Sequence, residues 1–98
     1  MATHTLTFSC VNNVCTVSNP EQPVSDGDTV VFSNGTAGTV QIWDLPAIFT
    51  DTTNISIAVN GPNVSREVMP SAGNGDYDYE FSSTACPNDN EQGKFIVG

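Results

Sequence analysis

Imidazole, positive charge and long apolar runs are what this chain has least of. Its 98 residues include one histidine, His4, and two cations, Arg66 and Lys94, against eleven acidic side chains, for a formal charge of −9. So acidic a chain lacks the cationic contacts that give affinity for phosphate backbones and anionic lipid surfaces, so nucleic acid is excluded as a partner. No apolar stretch approaches the ~20 residues of a membrane span, so membrane insertion is not expected. With one histidine, no nucleophile elbow and no phosphate-cradling glycine loop, no catalytic residue is assigned and the chain is not expected to be an enzyme. No secretory leader opens the chain. Abundant Ser and Thr with scarce Lys is the balance of exported β domains, so a secreted, periplasmic or cell-surface location is expected.

What the chain does have is period-two alternation broken by turn formers. Leu6, Phe8 and Cys10 alternate with Thr5, Thr7 and Ser9; Tyr77, Tyr79 and Phe81 alternate with Asp78, Glu80 and Ser82. Each is the pattern of a half-buried strand. Further strands are expected over Cys15–Ser18, Thr29–Ser33, Thr39–Trp43, Asn54–Val59, Val64–Met69 and Lys94–Val97. The prolines make Asn19–Pro23 irregular, because proline removes ladder donors. Asp44–Thr53 has room for a helical turn but not for a full helix. About eight short strands at intervals of 8 to 12 residues, in one domain spanning 1–98, point to an all-β sandwich or barrel.

Three cysteines, Cys10, Cys15 and Cys86, allow three pairings. The spacing favours Cys10 with Cys15. With Asn12-Asn13 as a two-residue turn, these two face each other as a non-hydrogen-bonded pair, where side chains approach most closely. The alternative is a pair of reduced core thiols. Cys86 is expected to be a half-buried cysteine or to bond one of the other two; its functional alternatives are a metal ligand, a redox thiol or an intermolecular disulfide that makes a dimer, and the chain is otherwise expected to be a monomer. A disulfide implies an oxidising compartment.

Three patterns in order carry a family resemblance: Val24-Ser25-Asp26-Gly27-Asp28-Thr29-Val30-Val31-Phe32-Ser33-Asn34, Gly75-Asp76-Tyr77-Asp78-Tyr79-Glu80-Phe81, and Gly93-Lys94-Phe95-Ile96-Val97. Their order and spacing resemble the plastocyanin-like cupredoxins, small blue-copper proteins, over nearly the whole chain. The resemblance implies a Greek-key β-sandwich. It also implies a copper site whose Cys, His and Met come from the loop after the penultimate strand, with a second His from an earlier loop. In this sequence the Cys position falls on Ser83, the loop His on Cys86 and the Met on Glu91. The earlier His falls near Thr39 or Val40. None carries its ligand. A blue-copper site needs two imidazoles and a thiolate. The expectation is therefore a divergent, copper-free member with no cofactor, acting as a binding or structural module toward a protein or small molecule. The residues expected near the loop end are Val40, Trp43, Ser83, Cys86 and Glu91. The alternative is a copper or redox carrier with a remodelled site on Cys86 and Glu91.

Asp76, Asp78 and Glu80 share one strand face. Carboxylates spaced along a strand do not wrap a hard cation, so a solvated outer face is expected. An exposed Trp43 would be an anchor for a sugar or protein contact.

Overall fold

A computed structural model describes residues 1–86 and 91–98. It holds nine strands and, among the described residues, no helix. They are β1 (Thr3–Val11), β2 (Val14–Val17), β3 (Glu21–Val24), β4 (Thr29–Asn34), β5 (Val40–Trp43), β6 (Ile55–Ile57), β7 (Val64–Glu67), β8 (Gly75–Ser83) and β9 (Glu91–Val97). Two sheets form, one of four strands in the order β2-β1-β4-β7 and one of five in the order β3-β9-β8-β5-β6. The β1–β4 and β3–β9 pairs are parallel and every other pair is antiparallel.

The alternation seen in the sequence sets what lies between the sheets. Leu6, Phe8, Val30 and Phe32 face inward from one sheet, and Val40, Ile42, Ile55, Ile57, Tyr79, Phe81 and Phe95 from the other; all are buried in one cluster. Phe8 meets Phe81 edge-on, with ring centroids 4.9 Å apart, and Phe95 lies 5.0 Å from Phe49. Each phenylalanine taken from water stabilises the fold by about 2 kcal/mol. Tyr79 sits opposite Gly93 in the β8–β9 register. A β-carbon at Gly93 would collide with the Tyr79 ring, so this glycine makes room for an aromatic side chain.

Three expectations are corrected. The last strand, β9, starts at Glu91 instead of Lys94 and takes in Gly93. Asn19–Pro23, expected to be irregular, overlaps a strand, Glu21–Val24. Pro23 is tolerated because β3 is an edge strand with β9 as its one neighbour. Asn54–Val59 shortens to Ile55–Ile57, because Asn60 takes a positive φ of 59° and Gly61 bonds back to Ala58, leaving Val59 45% exposed. As expected, Asp44–Thr53 holds a single turn, at Ala47–Ile48, and no full helix; Phe49 then makes an isolated bridge to Val68.

Candidate functional site

Both strands that lead into the loop end stop on polar residues that turn back to tie the loops. Asn34 closes β4. Its Nδ2 donates to the carbonyls of Gly38 (2.7 Å) and Ile57 (2.9 Å), and its Oδ1 accepts from the Thr36 amide (2.8 Å). Ser83 closes β8, 5% exposed. The Thr36 hydroxyl lies 2.8 Å from both Asn34 Oδ1 and Ser83 Oγ. A hydroxyl has one proton and Asn34 Oδ1 only accepts, so Thr36 donates to Asn34 and Ser83 donates to Thr36. Ser83 Oγ in turn accepts the Ala85 amide at 3.2 Å. The Thr39 amide donates to Thr84 Oγ1 (2.9 Å), and the Thr84 amide returns to the Thr39 carbonyl (3.0 Å). Gly38 permits this close approach, since a β-carbon there would strike Thr84 and Ala85.

The cysteines correct a second set of expectations. Cys10 bonds to Cys86, with Cα atoms 5.7 Å apart, and Cys15 is the free thiol. The hairpin itself has the expected geometry. Asn12 and Asn13 take positive φ values of 52° and 65°, and Cys10 stands opposite Cys15. The spacing argument fails because it weighs only local geometry: the β8–β9 connection brings Cys86 onto the same Cys10, while Cys15 packs into the core at 3% exposure. Burial pushes the Cys15 thiol up, and the Glu91 carboxylate pushes it further. Cys15, Phe81 and Glu91 share the lining of a cleft of about 180 Å³. In this form Cys86 is not available for an intermolecular bond.

The predicted loop-end residues do not all meet. Ser83 and Cys86 belong to the loop end. Val40 is fully buried beneath it, opposite Ser83. Glu91 opens β9 opposite Phe81 and approaches Cys15 instead of Cys86. Trp43 is misplaced by the expectation: it stands at the far end of β5, on the outer face, opposite Glu80. There its indole N–H bonds the Glu80 carboxylate. A hydrogen bond that protonated Glu80 donates to the Asp44 carboxylate nevertheless raises the Glu80 pKa, as do burial and the Asp44 charge. Trp43 also lines a groove of about 220 Å³ with Gln41, Asn54 and Ser56. Asp76 and Asp78 lie exposed on that same outer face.

His4 belongs to the opposite end of the sandwich, six residues and ~20 Å before Cys10 along β1. Its Nε2 is 2.8 Å from Asp28 Oδ2, and its Nδ1 lies 3.2 Å from the Gln22 amide nitrogen. Both ring nitrogens are engaged. Asp28 also accepts the Ala2 amide (2.8 Å) and the Ser25 amide (2.9 Å). The Ala2 bond first, then those from His4 and Ser25, hold its carboxyl down at about 2. Sequence reasoning assigned no role to His4 or Asp28. The signal was the Asp28-Thr29 start of β4, which the parallel β1–β4 pairing brings beside His4.

No family model and no curated protein matches the chain. Solved structures do. A purple cupredoxin from Nitrosopumilus maritimus superposes with a TM-score of 0.62 over 97% of this chain and 99% of its own, at 16% identity. The chain has the cupredoxin fold. Two amicyanin variants, one in its reduced Cu(I) form at pH 4 and one oxidised, superpose with TM-scores of 0.53 and 0.54 at 21% and 19% identity. Each match covers 96% of this chain and 82% of the amicyanin. Identity this low carries the cupredoxin architecture and nothing of copper chemistry. The donor set at the loop end does not fit a type 1 centre: the one imidazole is at the other end, and Cys86 is held in a disulfide. Among the described residues no group of three or more His, Cys, Asp or Glu is placed to hold a metal ion.

Proposed function

We propose that this chain is a copper-free, non-catalytic binding module of cupredoxin fold, working in an oxidising, exported compartment. One observation carries the reading: the loop end is tied shut by neutral groups. The Ser83–Thr36–Asn34 hydroxyl relay, the paired Thr39–Thr84 hydrogen bonds and the Cys10–Cys86 bond use donors that a metal cage would need to leave free. A scaffold cross-tied in this way supports recognition by the groups it leaves outside. These are Val11, Asn12 and Asn13 at the hairpin tip and Gly35, Ala37 and Thr84 on the adjoining loops, all exposed. They present small, uncharged groups toward a protein or small-molecule partner. The disulfide supports an oxidising location, where such bonds persist.

Native mass spectrometry of the oxidised and reduced protein, after incubation with Cu(I) and with Cu(II), tests this. The expected result is a monomer carrying one internal disulfide and no copper after buffer exchange. One copper retained per chain, and lost in Cys86→Ser, would sink the reading and make this loop a remodelled metal site.

A further inference from the structure

The disulfide and the free thiol share one neighbour. Cys10 is bonded to Cys86 across the two sheets, and it stands directly opposite Cys15 in the β1–β2 hairpin. Val11 and Val14 flank the two-residue turn and make the hydrogen-bonded pair, so the next pair, Cys10 and Cys15, is a non-hydrogen-bonded one. Such a pair sets Cα atoms about 4.5 Å apart, inside the range that a disulfide spans. Cys15 is therefore held beside the sulfur it would attack, on a turn that already has the shape of the product.

We propose that Cys10, Cys15 and Cys86 form an internal thiol–disulfide exchange site that moves the bond from Cys10–Cys86 to Cys10–Cys15 and releases the Cys86 thiol at the loop end. The Cys15 thiolate attacks Cys10 Sγ, the Cys10–Cys86 bond breaks, and its electron pair leaves on Cys86 as thiolate. Cys15 gives up its proton and Cys86 takes one, so nothing is oxidised or reduced overall and no outside reagent enters. The exchange removes the bond that ties the β8–β9 connection to β1 and leaves a bond confined to the hairpin. The loop end then has a nucleophilic thiol where it had a cross-link. Only the thiolate attacks, and Glu91 is the charged group packed against Cys15, so the step is slow at neutral pH and accelerates with alkali.

The test uses the whole oxidised chain without reductant. The protein is incubated with iodoacetamide between pH 7 and pH 9, quenched in acid and digested with chymotrypsin, and the fragments are read by mass spectrometry. In the starting form the fragment holding Cys10 and Cys15 is joined to the fragment holding Cys86. The expected product is an alkylated Cys86 fragment beside a separate hairpin fragment closed by its own disulfide, accumulating about tenfold faster per pH unit. Cys15→Ser keeps the Cys10–Cys86 bond and should abolish Cys86 labelling. Label appearing on Cys15 alone, with Cys10–Cys86 intact throughout, would overturn the proposal. So would Cys86 labelling that persists undiminished in Cys15→Ser. Cys15→Ala serves as a second variant, with its fold checked by circular dichroism.

Discussion

The two ends of this sandwich are both stitched by polar contacts, but from different chemistry. At one end a single carboxylate, Asp28, gathers the Ala2 and Ser25 amides and the His4 ring. At the other, hydroxyls, backbone amides and a disulfide do the same work without a titratable acceptor at the centre. A buried charge with three donors is strong and depends on pH; a neutral relay is weaker per bond and indifferent to it. The blue-copper resemblance directs attention to the second end, yet the chain keeps its histidine at the first.

The largest effect should come from cutting the cross-link. The bond joins residues 76 apart in sequence, and constraining a loop of that size is worth about 4 kcal/mol. Cys86→Ser should lose about that amount in urea denaturation under oxidising conditions. A loss below ~1 kcal/mol would mean that the hydroxyl relay holds the loop end unaided.

The next effect belongs to Asp28. Its carboxyl falls from 3.8 to about 2 on folding, a shift worth about 2 kcal/mol. The folded pKa is the lower one. The contribution is therefore complete above the unfolded value of 3.8 and is lost as pH falls through about 2. Asp28→Asn should lower stability at neutral pH and flatten this part of the profile between pH 4 and pH 2. If the variant shows the same acid loss as the parent, the contrast between a charged end and a neutral end is wrong.

The smallest effect is at Ser83. Removing its hydroxyl deletes one donor to Thr36 and one acceptor for Ala85. Ser83→Ala should cost about 1 kcal/mol, independent of pH, by thermal or urea melts. A pH-dependent loss there would reveal a charged group at the loop end.

The strands were legible wherever one face is buried. The alternation in Leu6–Phe8, Val30–Phe32, Val40–Ile42 and Tyr79–Phe81 names the inward set without any tertiary knowledge. β3 was hidden because its proline argues against a ladder, and nothing local says that Glu21–Val24 lies at an edge. The same limit governs the site. A hairpin can be read from Asn12-Asn13, so Cys10 opposite Cys15 was visible. That Cys86 arrives on the same sulfur depends on how the sheets stack. Trp43 was placed at the loop end because its strand begins there, but three residues along a strand carry a side chain ~10 Å away.

The parallel pairing of β3 with β9 also dictates an order of events during synthesis. Glu21 meets Lys94 and Val24 meets Val97, so the Glu21–Val24 edge has no neighbour until β9, about 70 residues later, exists. Cys10 waits similarly for Cys86. A chain emerging from its amino end can close the β1–β2 hairpin early, yet the five-stranded sheet cannot be completed until β9 has been made. Contacts this distant in sequence form slowly, because the intervening chain must first lose its freedom. During that interval Cys10 and Cys15 stand side by side in the nascent hairpin while Cys86 has yet to be made. The early bond of the growing chain and the late bond of the finished one thus compete for the same sulfur.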